Sequence, residues 1–472
     1  MGKTLIKNAK AIVTCDVQDQ VFYNADMLID GARIIKIGQN LAGDPLLVGT
    51  AGMDGVEVID ATDKFVYPGL INTHHHFFQT FVRNLTTIDY PNLTVMDWID
   101  KIYRIFQKID DDVIYYSSLT AMADLLKHGC TCAFDHQYCY TTATGKRPVD
   151  RQMEAAASLG IRYHAGRGGN TLERENGSSI PEAMVESTDE FIKDCERLID
   201  KYHDAGPFSM RQIVISPCQP INCYKDTFVE SIKLARDKGV RLHTHLGEGE
   251  SEGIRERYGM RSVSWCEEMG FLGPETFVAH AWELTPEEYQ VLARTGTGVS
   301  HCPAPAVLGG FPILDIKWMQ EQGILVSLGC DGSATNDSSN LLDTLRMAYL
   351  MQAYHTKARG GCVTAYDMLK IATINGANTL GRTDLGSLEA GKGADLFMID
   401  TKGLELAGAL HDPKNLLARV GVAGPVWLTM VNGKVVYRDG KLTGVDEDRL
   451  AREGEQVCSR VLRDEFKTIW VS

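Results

Sequence analysis

The stretch VYPGLINTHHH, residues 66–76, gives the clearest indication of the fold. It begins with a short apolar segment that predicts a buried strand, and it ends in three histidines, a residue type that occurs only 13 times in the 472-residue chain. In an extended segment alternate side chains share one face, so His74 and His76 point together and His75 points the other way. Two imidazoles at the end of a buried strand are typical of a site at the carboxyl ends of parallel strands.

Seven further apolar segments follow between residues 130 and 331, and helical segments fill most of the gaps between them. Gly129 and Gly239 follow two of the helical segments, and glycine is favoured where a helix ends. Eight strands with a helix after most of them predict an α/β fold, a (β/α)8 TIM-type barrel. The predicted strands are residues 66–72, 130–135, 161–167, 212–216, 240–245, 276–280, 297–301 and 325–331.

The two ends of the chain differ from this middle part, because they consist of short β-rich segments separated by turns. Near the C-terminus, Asn432-Gly433 lies between alternating apolar residues and predicts a β-hairpin. We therefore expect both ends to contribute to one small β-sandwich domain. The expected division is a composite β domain of residues 1–65 and 388–445, a barrel of residues 66–387 and a C-terminal helical extension of residues 446–472.

The charge and the cysteine content of the chain restrict the classes of protein to which it can belong. The formal net charge of −14 argues against a nucleic-acid partner, which requires a basic surface. The twelve cysteines include no CxxC pair, so neither a disulfide framework nor a zinc knuckle is expected. Lys3, Lys7 and Lys10 interrupt the apolar residues of the N-terminus, and no apolar run approaches the roughly 18 residues of a membrane span. These features predict a cytoplasmic enzyme with a small-molecule substrate and no membrane partner.

Polar side chains end five of the eight predicted strands. A single strand-end histidine is more often a hydrogen-bonded structural residue than a ligand. The convergence of several at one end of a barrel predicts a functional site instead. The set comprises His74 and His76 after the first strand, His243 and His245 at the fifth, His280 at the sixth, His301 at the seventh and Asp331 at the eighth.

Four of these residues predict a metal site. His74, His76 and His245 offer three nitrogens, and Asp331 adds one oxygen. Such a set leaves an open position for water and suits Zn²⁺ first and Fe²⁺ second. Water held by such a cation is acidic enough to attack at neutral pH. We expect one divalent metal ion per chain.

Hydrolytic removal of an amine also needs a group that moves protons, because an amide anion is too poor a leaving group. Glu248, three residues after His245, can supply this proton transfer. The alternative is that Glu248 is a carboxylate stabilised at a helix N-terminus. Asp331 can take a proton from the attacking water, and His280 can orient that water through a hydrogen bond.

Four sequence segments resemble those of a known family. They are PGLINTHHHFFQ (68–79), LHTHLGEGE (242–250), VAHAW (278–282) and GCDGSATNDSSNLLDTLRMA (329–348). They are similar to the amidohydrolase superfamily, in its chlorohydrolase and cyclic-deaminase branch, and the resemblance runs over nearly the whole chain. Within this branch, INTHHHFFQTFVRNL (71–85) and SHCPAP (300–305) resemble the hydroxyatrazine ethylaminohydrolases. The 8-oxoguanine deaminases, which share HHHxxQ, come next.

The resemblance implies an aminohydrolase that removes an exocyclic amino or alkylamino group from a small nitrogen heteroaromatic ring of the hydroxyatrazine type. Gln79 matches the glutamine whose amide binds substrate in this branch, and a primary amide can pair with a ring N–H and C=O together. A position on a helix surface is the alternative for Gln79. The other implied roles are metal ligation by His74, His76, His245 and Asp331, proton transfer by Glu248, water orientation by His280, and pocket lining by Arg167, His301 and the Asp135-His136 pair.

Several alternatives remain open at this point. A deaminase of 8-oxoguanine, guanine or isocytosine would meet a substrate with similar donors and acceptors. A ring-opening enzyme with two metals would need a carboxylated lysine at the end of the fourth strand, but no lysine follows that strand until Lys225. A non-catalytic scaffold would be expected to lack metal ligands, and every ligand is present. By analogy with related barrels we expect a homodimer or larger homo-oligomer.

Overall fold

A computed structural model describes residues 2–48, 55–85, 88–357 and 361–466 of the chain. Its strands fall into two sheets, one of nine strands and one of eight. In chain order the strands are β1 (Lys3–Val13), β2 (Val21–Asp30), β3 (Arg33–Gly38), β4 (Glu57–Asp60), β5 (Lys64–Pro68), β6 (Leu70–Asn72), β7 (Cys130–Gln137), β8 (Arg162–Gly169), β9 (Arg211–Pro217), β10 (Arg241–Leu246), β11 (Thr276–His280), β12 (Gly298–His301), β13 (Val326–Leu328), β14 (Leu396–Asp400), β15 (Leu428–Val431), β16 (Lys434–Arg438) and β17 (Lys441–Leu442).

Strands β6 to β13 form the barrel, and each strand pairs in parallel with the next along the chain. The first and last strands are joined by two backbone hydrogen bonds just beyond their ends. The N–H of Thr73 donates to the carbonyl of Leu328, and the N–H of Asp331 donates to the carbonyl of His74, each at 3.0 Å. The predicted eight-stranded parallel barrel is confirmed.

The predicted strand at residues 66–72 is in fact two strands that belong to different sheets. Strand β5 pairs with β14 in the mixed sheet, whereas β6 pairs with β7 in the barrel. Gly69 separates them, and a Cβ at this position would lie 2.0 Å from the Oγ1 of Thr131. Only glycine allows the chain to pass this close to the neighbouring strand while it changes sheets.

Strands from both chain ends form the second sheet, which is mixed and contains β1 to β5 together with β14 to β17. The predicted hairpin is present, because β15 and β16 pair antiparallel around Asn432 and Gly433. Both turn residues have positive φ, 53° and 74°, as a tight type I′ turn requires. A sheet built from both chain ends is thus confirmed, while the domain boundaries stay a prediction.

The helices that follow barrel strands pack around the outside of the barrel. Gly129 and Gly239 follow the helices Asp111–Lys127 and Lys225–Lys238 with φ of 79° and 66°, as the sequence predicts. No helix in the described ranges is long and apolar enough to span a lipid bilayer.

The predicted C-terminal extension is helical as far as Phe466, and residues 467–472 lie outside the described residues. The α-helices are α1 (Pro45–Val48), α2 (Val95–Phe106), α3 (Asp111–Lys127), α4 (Pro148–Leu159), α5 (Thr188–Tyr202), α6 (Lys225–Lys238), α7 (Ser251–Tyr258), α8 (Ser262–Glu268), α9 (Pro286–Thr295), α10 (Pro303–Leu308), α11 (Ile316–Glu321), α12 (Ser333–Asn336), α13 (Leu341–Thr356), α14 (Ala365–Ile371), α15 (Ile374–Thr379), α16 (Leu416–Arg419) and α17 (Glu447–Phe466).

A buried ion pair joins the barrel to the mixed sheet. Arg162, the first residue of β8, donates from Nε and Nη2 to the two carboxylate oxygens of Asp395, at 3.0 and 2.9 Å. Asp395 directly precedes β14 and also accepts the backbone N–H of Asn432 at 2.8 Å. Both charged side chains are almost fully buried, so neither can be solvated by water if its partner is lost.

We expect Asp395→Ala to lower the free energy of unfolding by about 3–5 kcal/mol, because it leaves the Arg162 charge buried without a partner. Denaturant unfolding followed by circular dichroism measures the change. The control is Asp100→Ala, which removes an exposed pair with Arg104 and should change stability by no more than about 0.5 kcal/mol. Equal losses in the two variants would contradict this role of the buried pair.

Candidate metal centre and active site

Side chains from four barrel strands meet at one end of the barrel, where the carboxyl ends of the strands lie. Three of these side chains, those of His76, His245 and Asp331, border a cavity of about 500 Å³. Placing these residues at strand ends fixes their backbone through the barrel hydrogen bonds, so their positions do not depend on long loops. The convergent residues are His74 and His76 just after β6, His245 in β10, His280 at the end of β11 and Asp331 just after β13.

The four predicted metal ligands lie close together: ligand atoms of His74, His76 and Asp331 are within 4.8 Å of one another, and His245 adjoins His76. The Nε2 atoms of His76 and His245 are 3.1 Å apart. The Oδ1 atom of Asp331 lies 3.5 Å from the Nε2 of His76 and 3.6 Å from the Nε2 of His74. His75 points away from this cluster, as the alternation predicts, and its Nε2 lies 2.9 Å from the hydroxyl of Ser339.

Backbone carbonyls orient two of the imidazoles. The Nδ1–H of His76 donates to the carbonyl of His136 at 2.8 Å, and the Nδ1–H of His245 donates to the carbonyl of Cys218 at 2.7 Å. With the proton on Nδ1, each ring directs the lone pair of Nε2 into the cluster. This arrangement is how proteins prepare a histidine for a metal ion.

A second histidine orients His74. The Nδ1 of His74 lies 3.1 Å from the Nε2 of His243, and the Nδ1–H of His243 donates to the carbonyl of Phe277 at 3.0 Å. His243 therefore carries its proton on Nδ1 and accepts from His74 through Nε2. The Nε2 of His74 is left buried, and no described residue gives it a hydrogen bond.

These observations fit a divalent cation. Three imidazole nitrogens with inward lone pairs and one carboxylate oxygen are the donor set of a catalytic metal site, and the unpaired Nε2 of His74 lacks any other partner. Burial holds the pKa of His74 and His76 well below the usual range and lowers the pKa of His245 to about 4. The rings are therefore neutral at pH 7, which is the form that binds metal.

Glu248 lies beside the cluster on a short loop after β10. Its Oε1 is 3.4 Å from the Nε2 of His280. Glu250 fixes this loop, because its carboxylate accepts the backbone N–H of Gly247 and the backbone N–H of Glu248, both at 2.7 Å. Burial raises the pKa of Glu248 well above its usual range, and the nearby negative charge of Asp331 raises it further. Glu248 is thus prepared to carry a proton near neutral pH.

His280 stacks on His245, with ring centroids 5.3 Å apart and planes 12° apart. Its Nε2 is also 3.9 Å from the Oδ2 of Asp331. His280 has a φ of 78° and Asp331 a φ of 65°, left-handed conformations that are rare for residues other than glycine. Backbone strain of this kind persists where the surrounding structure enforces it, and it concentrates at functional sites.

Gln79 borders the cavity from the short helical turn that follows His76. Its Oε1 accepts the backbone N–H of Ala334 and its Nε2 donates to the hydroxyl of Tyr138, each at 3.2 Å. Gly332 lies against this amide, since a Cβ there would be 1.9 Å from the Oε1 of Gln79. The amide therefore has a fixed orientation and keeps one N–H and one lone pair for another partner.

Aromatic side chains form much of the rest of the cavity. The indole Nε1 of Trp98 is buried and has no hydrogen-bond partner. Flat apolar walls with a few fixed polar atoms suit a small heteroaromatic ring. The aromatic residues that border the cavity are Tyr90, Trp98, Tyr103, Tyr138 and Phe311.

The structure places the remaining predicted residues away from the cavity walls. Arg167 is buried, donates to both carboxylate oxygens of Glu186 and to Asp194, and lies 3.7 Å above the ring of Tyr140. Its donors are thus occupied within the protein.

His301, Asp135 and His136 are also fully buried and do not line the cavity. The carboxylate of Asp135 accepts the backbone N–H of Phe77, and His136 stacks on His245 with ring centroids 4.7 Å apart. Both contacts help to hold the residues of the candidate metal cluster in place. A role in binding substrate stays a prediction for these three residues and for Arg167.

Glu250, Tyr138 and Trp98 were missed in the sequence. Tyr138 directly follows β7, so the rule that selected the histidines at strand ends could have included it. Trp98 lies on α2, outside the barrel strands, and no spacing pattern connects that helix to the site. The loop contacts of Glu250 depend on how residues 247–250 fold, which the sequence pattern does not reveal.

The fold and the site together define a barrel enzyme that depends on a divalent metal. The model of the amidohydrolase family matches residues 65–436, and the chain belongs to that family. It is similar to hydroxydechloroatrazine ethylaminohydrolase from Pseudomonas sp. strain ADP, with 49% identity over 98% of this chain and 96% of the relative. It is also similar to 8-oxoguanine deaminase from Pseudomonas aeruginosa, with 32% identity over 94% of this chain and 96% of the relative.

Solved structures give the same result. The crystal structure of an atrazine chlorohydrolase from Arthrobacter aurescens TC1, complexed with zinc, matches with a TM-score of 0.89. It is 30% identical in sequence, and the match covers 96% of this chain and 100% of the other. The resemblance to the amidohydrolase superfamily that the sequence motifs carry is thereby confirmed.

We expect His245→Ala to lose most of the bound metal, because it removes one of the four predicted ligands. Elemental analysis of purified protein should give one divalent ion per chain in the wild type and a small fraction of that in the variant. The matched control is His75→Asn, which alters the histidine between two ligands whose ring points away, and which should keep its metal. Two tightly held metals per wild-type chain would refute the single-metal assignment.

Proposed function

We propose that this protein is a single-metal aminohydrolase that hydrolyses the exocyclic C–N bond of a hydroxylated s-triazine carrying an alkylamino group. The proposal rests on the side-chain cluster at the cavity together with the sequence identity to a relative. A cluster of three histidines and one aspartate reaches a cavity through His76, His245 and Asp331, and Glu248 borders the same cavity. The same chain is 49% identical, over almost its whole length, to a hydroxydechloroatrazine ethylaminohydrolase.

The metal ion of this proposal is Zn²⁺, held by His74, His76, His245 and Asp331. The three-nitrogen, one-oxygen donor set favours it, and the triazine hydrolase that matches the fold was solved with zinc. When bound, a Zn²⁺ ion supplies Lewis acidity that lowers the pKa of water and polarises the substrate. We further propose that the protein acts in the cytoplasm as a homo-oligomer.

Orientation of the attacking water falls to His280 and Asp331 in this proposal. The Nε2 of His280 lies between the Oδ2 of Asp331 and the Oε1 of Glu248, at 3.9 and 3.4 Å. Three polar groups around one point can direct a lone pair of water at the ring carbon and accept its protons. Burial lowers the pKa of His280 well below its usual range, so the ring is neutral and can accept a hydrogen bond.

Proton transfer falls to Glu248. As water adds to the ring carbon, Glu248 donates a proton to a ring nitrogen, which keeps negative charge from building on the ring. Asp331 accepts one proton of the attacking water, and this proton passes to the exocyclic nitrogen, so that the C–N bond breaks and the amine leaves as a neutral molecule. The remaining hydroxyl proton returns to Glu248 as the new ring C=O forms. The raised pKa of Glu248 supports this role, because a carboxyl group must be protonated before it can donate.

Recognition of the ring falls to Gln79 and the aromatic walls. The remaining N–H and lone pair of the Gln79 amide can pair with a ring carbonyl and a neighbouring ring N–H. Trp98 and Tyr103 on α2 offer flat faces against which the ring can stack. The second candidate function, deamination of 8-oxoguanine, is favoured by the 32% identity with that deaminase, and its substrate also has a carbonyl beside a ring N–H.

A substrate panel decides between these two functions. We expect zinc-reconstituted protein to release alkylamine from hydroxylated alkylamino-triazines with a higher kcat/KM than it releases ammonia from 8-oxoguanine, guanine or isocytosine. Chromatographic detection of amine and ammonia covers both kinds of product. Preference for a purine would overturn the triazine proposal, and the absence of amine release from every ring would overturn the aminohydrolase proposal.

We expect Glu248→Gln to lower kcat by ~10²–10⁴-fold while the metal content stays unchanged, because glutamine keeps the shape of the side chain but cannot transfer a proton. Steady-state kinetics and elemental analysis on the same preparation measure both effects. Glu252→Gln, an exposed glutamate four residues further on, is the control and should retain full activity. An active Glu248→Gln enzyme would contradict the assignment.

We expect Gln79→Leu to lower kcat/KM most for substrates with a ring carbonyl, because those substrates lose their hydrogen-bond partner in a buried pocket. The loss should be roughly 1–3 kcal/mol, or about tenfold to a hundredfold. Matched oxo and non-oxo rings should be compared in the wild type and the variant. An equal loss on both would mean that Gln79 only supports the loop.

A further inference from the structure

The thiol of Cys302 lies next to the candidate metal centre, although the proposed reaction does not use it. Cys302 is the first residue after β12 and is fully buried. Its sulfur, a ring nitrogen of His280 and a carboxylate oxygen of Asp331 all lie within 4.8 Å of one another. Sulfur, imidazole nitrogen and carboxylate oxygen together are a donor set that divalent transition-metal ions bind.

The two oxygens of Asp331 face in different directions. Oδ1 lies 3.5 and 3.6 Å from the Nε2 atoms of His76 and His74, the ligands of the first centre. Oδ2 lies 3.9 Å from the Nε2 of His280. A carboxylate placed in this way can hold one cation with each oxygen, as in two-metal sites whose ions lie roughly 3.5–4 Å apart.

His280 and Cys302 both have ligand capacity that the described residues do not use. Neither ring nitrogen of His280 has a hydrogen-bond partner, although the ring is completely buried. The thiol of Cys302 has only a long contact, 3.8 Å, with the carbonyl of Ser300. Buried polar groups are normally paired, so an unpaired imidazole beside a thiol and a carboxylate indicates a place for a ligand.

We propose that His280, Cys302 and Asp331 form a second cation site that binds thiophilic divalent ions, such as Zn²⁺ in excess or Cd²⁺, and that its occupation inhibits the enzyme. The site needs no carboxylated lysine, because the cysteine provides the additional ligand. Repulsion from the cation in the first centre weakens binding here, so the second ion binds only when metal is in excess. The second ion is therefore absent when only one metal per chain is bound, and it has no part in the catalytic cycle.

Inhibition follows from the atoms that the second cation would use. It would bind the ring nitrogen of His280 and the Oδ2 of Asp331, which are proposed to orient the attacking water. It would also attract the carboxylate of Glu248, whose Oε1 lies 3.4 Å from the Nε2 of His280, and keep it from carrying a proton. The inhibitory consequence rests on the proposed function, whereas the existence of the site does not.

Cadmium titration tests the site itself. Protein that holds one Zn²⁺ per chain is titrated with Cd²⁺, and the ultraviolet charge-transfer band of a cadmium–thiolate bond is followed. Cys218→Ala is the matched control, because its thiol also borders the cavity and lies 4.0 Å from the Nδ1 of His245. We expect the band in the wild type and in Cys218→Ala, and its loss in Cys302→Ala and Cys302→Ser. A band that survives in both Cys302 variants, or that disappears in Cys218→Ala, would overturn the site.

Activity measurements test the inhibition. Each protein is assayed with increasing Zn²⁺ or Cd²⁺ and compared with its own rate before metal addition. In Cys302→Ala we expect half-inhibition at a cation concentration at least about tenfold higher than in the wild type, because the second site loses one ligand. An unchanged half-inhibition concentration would overturn the inhibitory role. If no substrate is turned over at all, the cadmium band still decides on the site, so the two proposals fail separately.

Discussion

The candidate site depends on the hydrogen bonds that close the barrel between its first and last strands. Thr73 donates to Leu328 and Asp331 donates to His74, so the backbone of one predicted metal ligand is bonded to the backbone of another that lies more than 250 residues away in the chain. The hydroxyl of Thr73 reinforces the closure through contacts with the hydroxyls of Ser300 and Ser327, at 2.7 and 2.9 Å. Without this closure the two histidines of β6 would face no carboxylate.

Burial then gives these residues their chemistry. Packing several imidazoles together without water makes the charged form unfavourable, so the rings stay neutral and their lone pairs point at one another. The same burial raises the pKa of Asp331 to about 7 and raises that of Glu248 well above its usual range. A cation in the cluster offsets the cost of gathering so many lone pairs. The backbone carbonyls behind the rings keep the rings oriented for it.

The sequence predicted those parts of the protein that follow from local periodicity. Strand ends could be located because apolar segments are short and stop at polar residues, and parallel strands bring those ends to one edge. The pattern failed where a contact depends on another part of the chain. It could not show that Gly69 divides one apolar run between two sheets, since the reason is the side chain of Thr131. It placed Arg167 at a strand end, but the acidic residues Glu186 and Asp194 that engage it come from a later segment.

The candidate site divides between barrel strands and connecting segments, and this division suggests where the pocket can change at small cost to the fold. The predicted metal ligands, His280 and Glu248 lie on barrel strands or in the short segments that follow them, where a shift of backbone would disrupt the sheet. The cavity-lining residues Trp98 and Tyr103 lie on α2, which connects β6 to α3 and takes no part in the sheet. Substitutions on such a segment alter the cavity at small cost to the barrel, because they leave its hydrogen bonds intact. A triazine aminohydrolase and a purine deaminase can therefore share the same strand ends, and α2 is the element in which their pockets are expected to diverge.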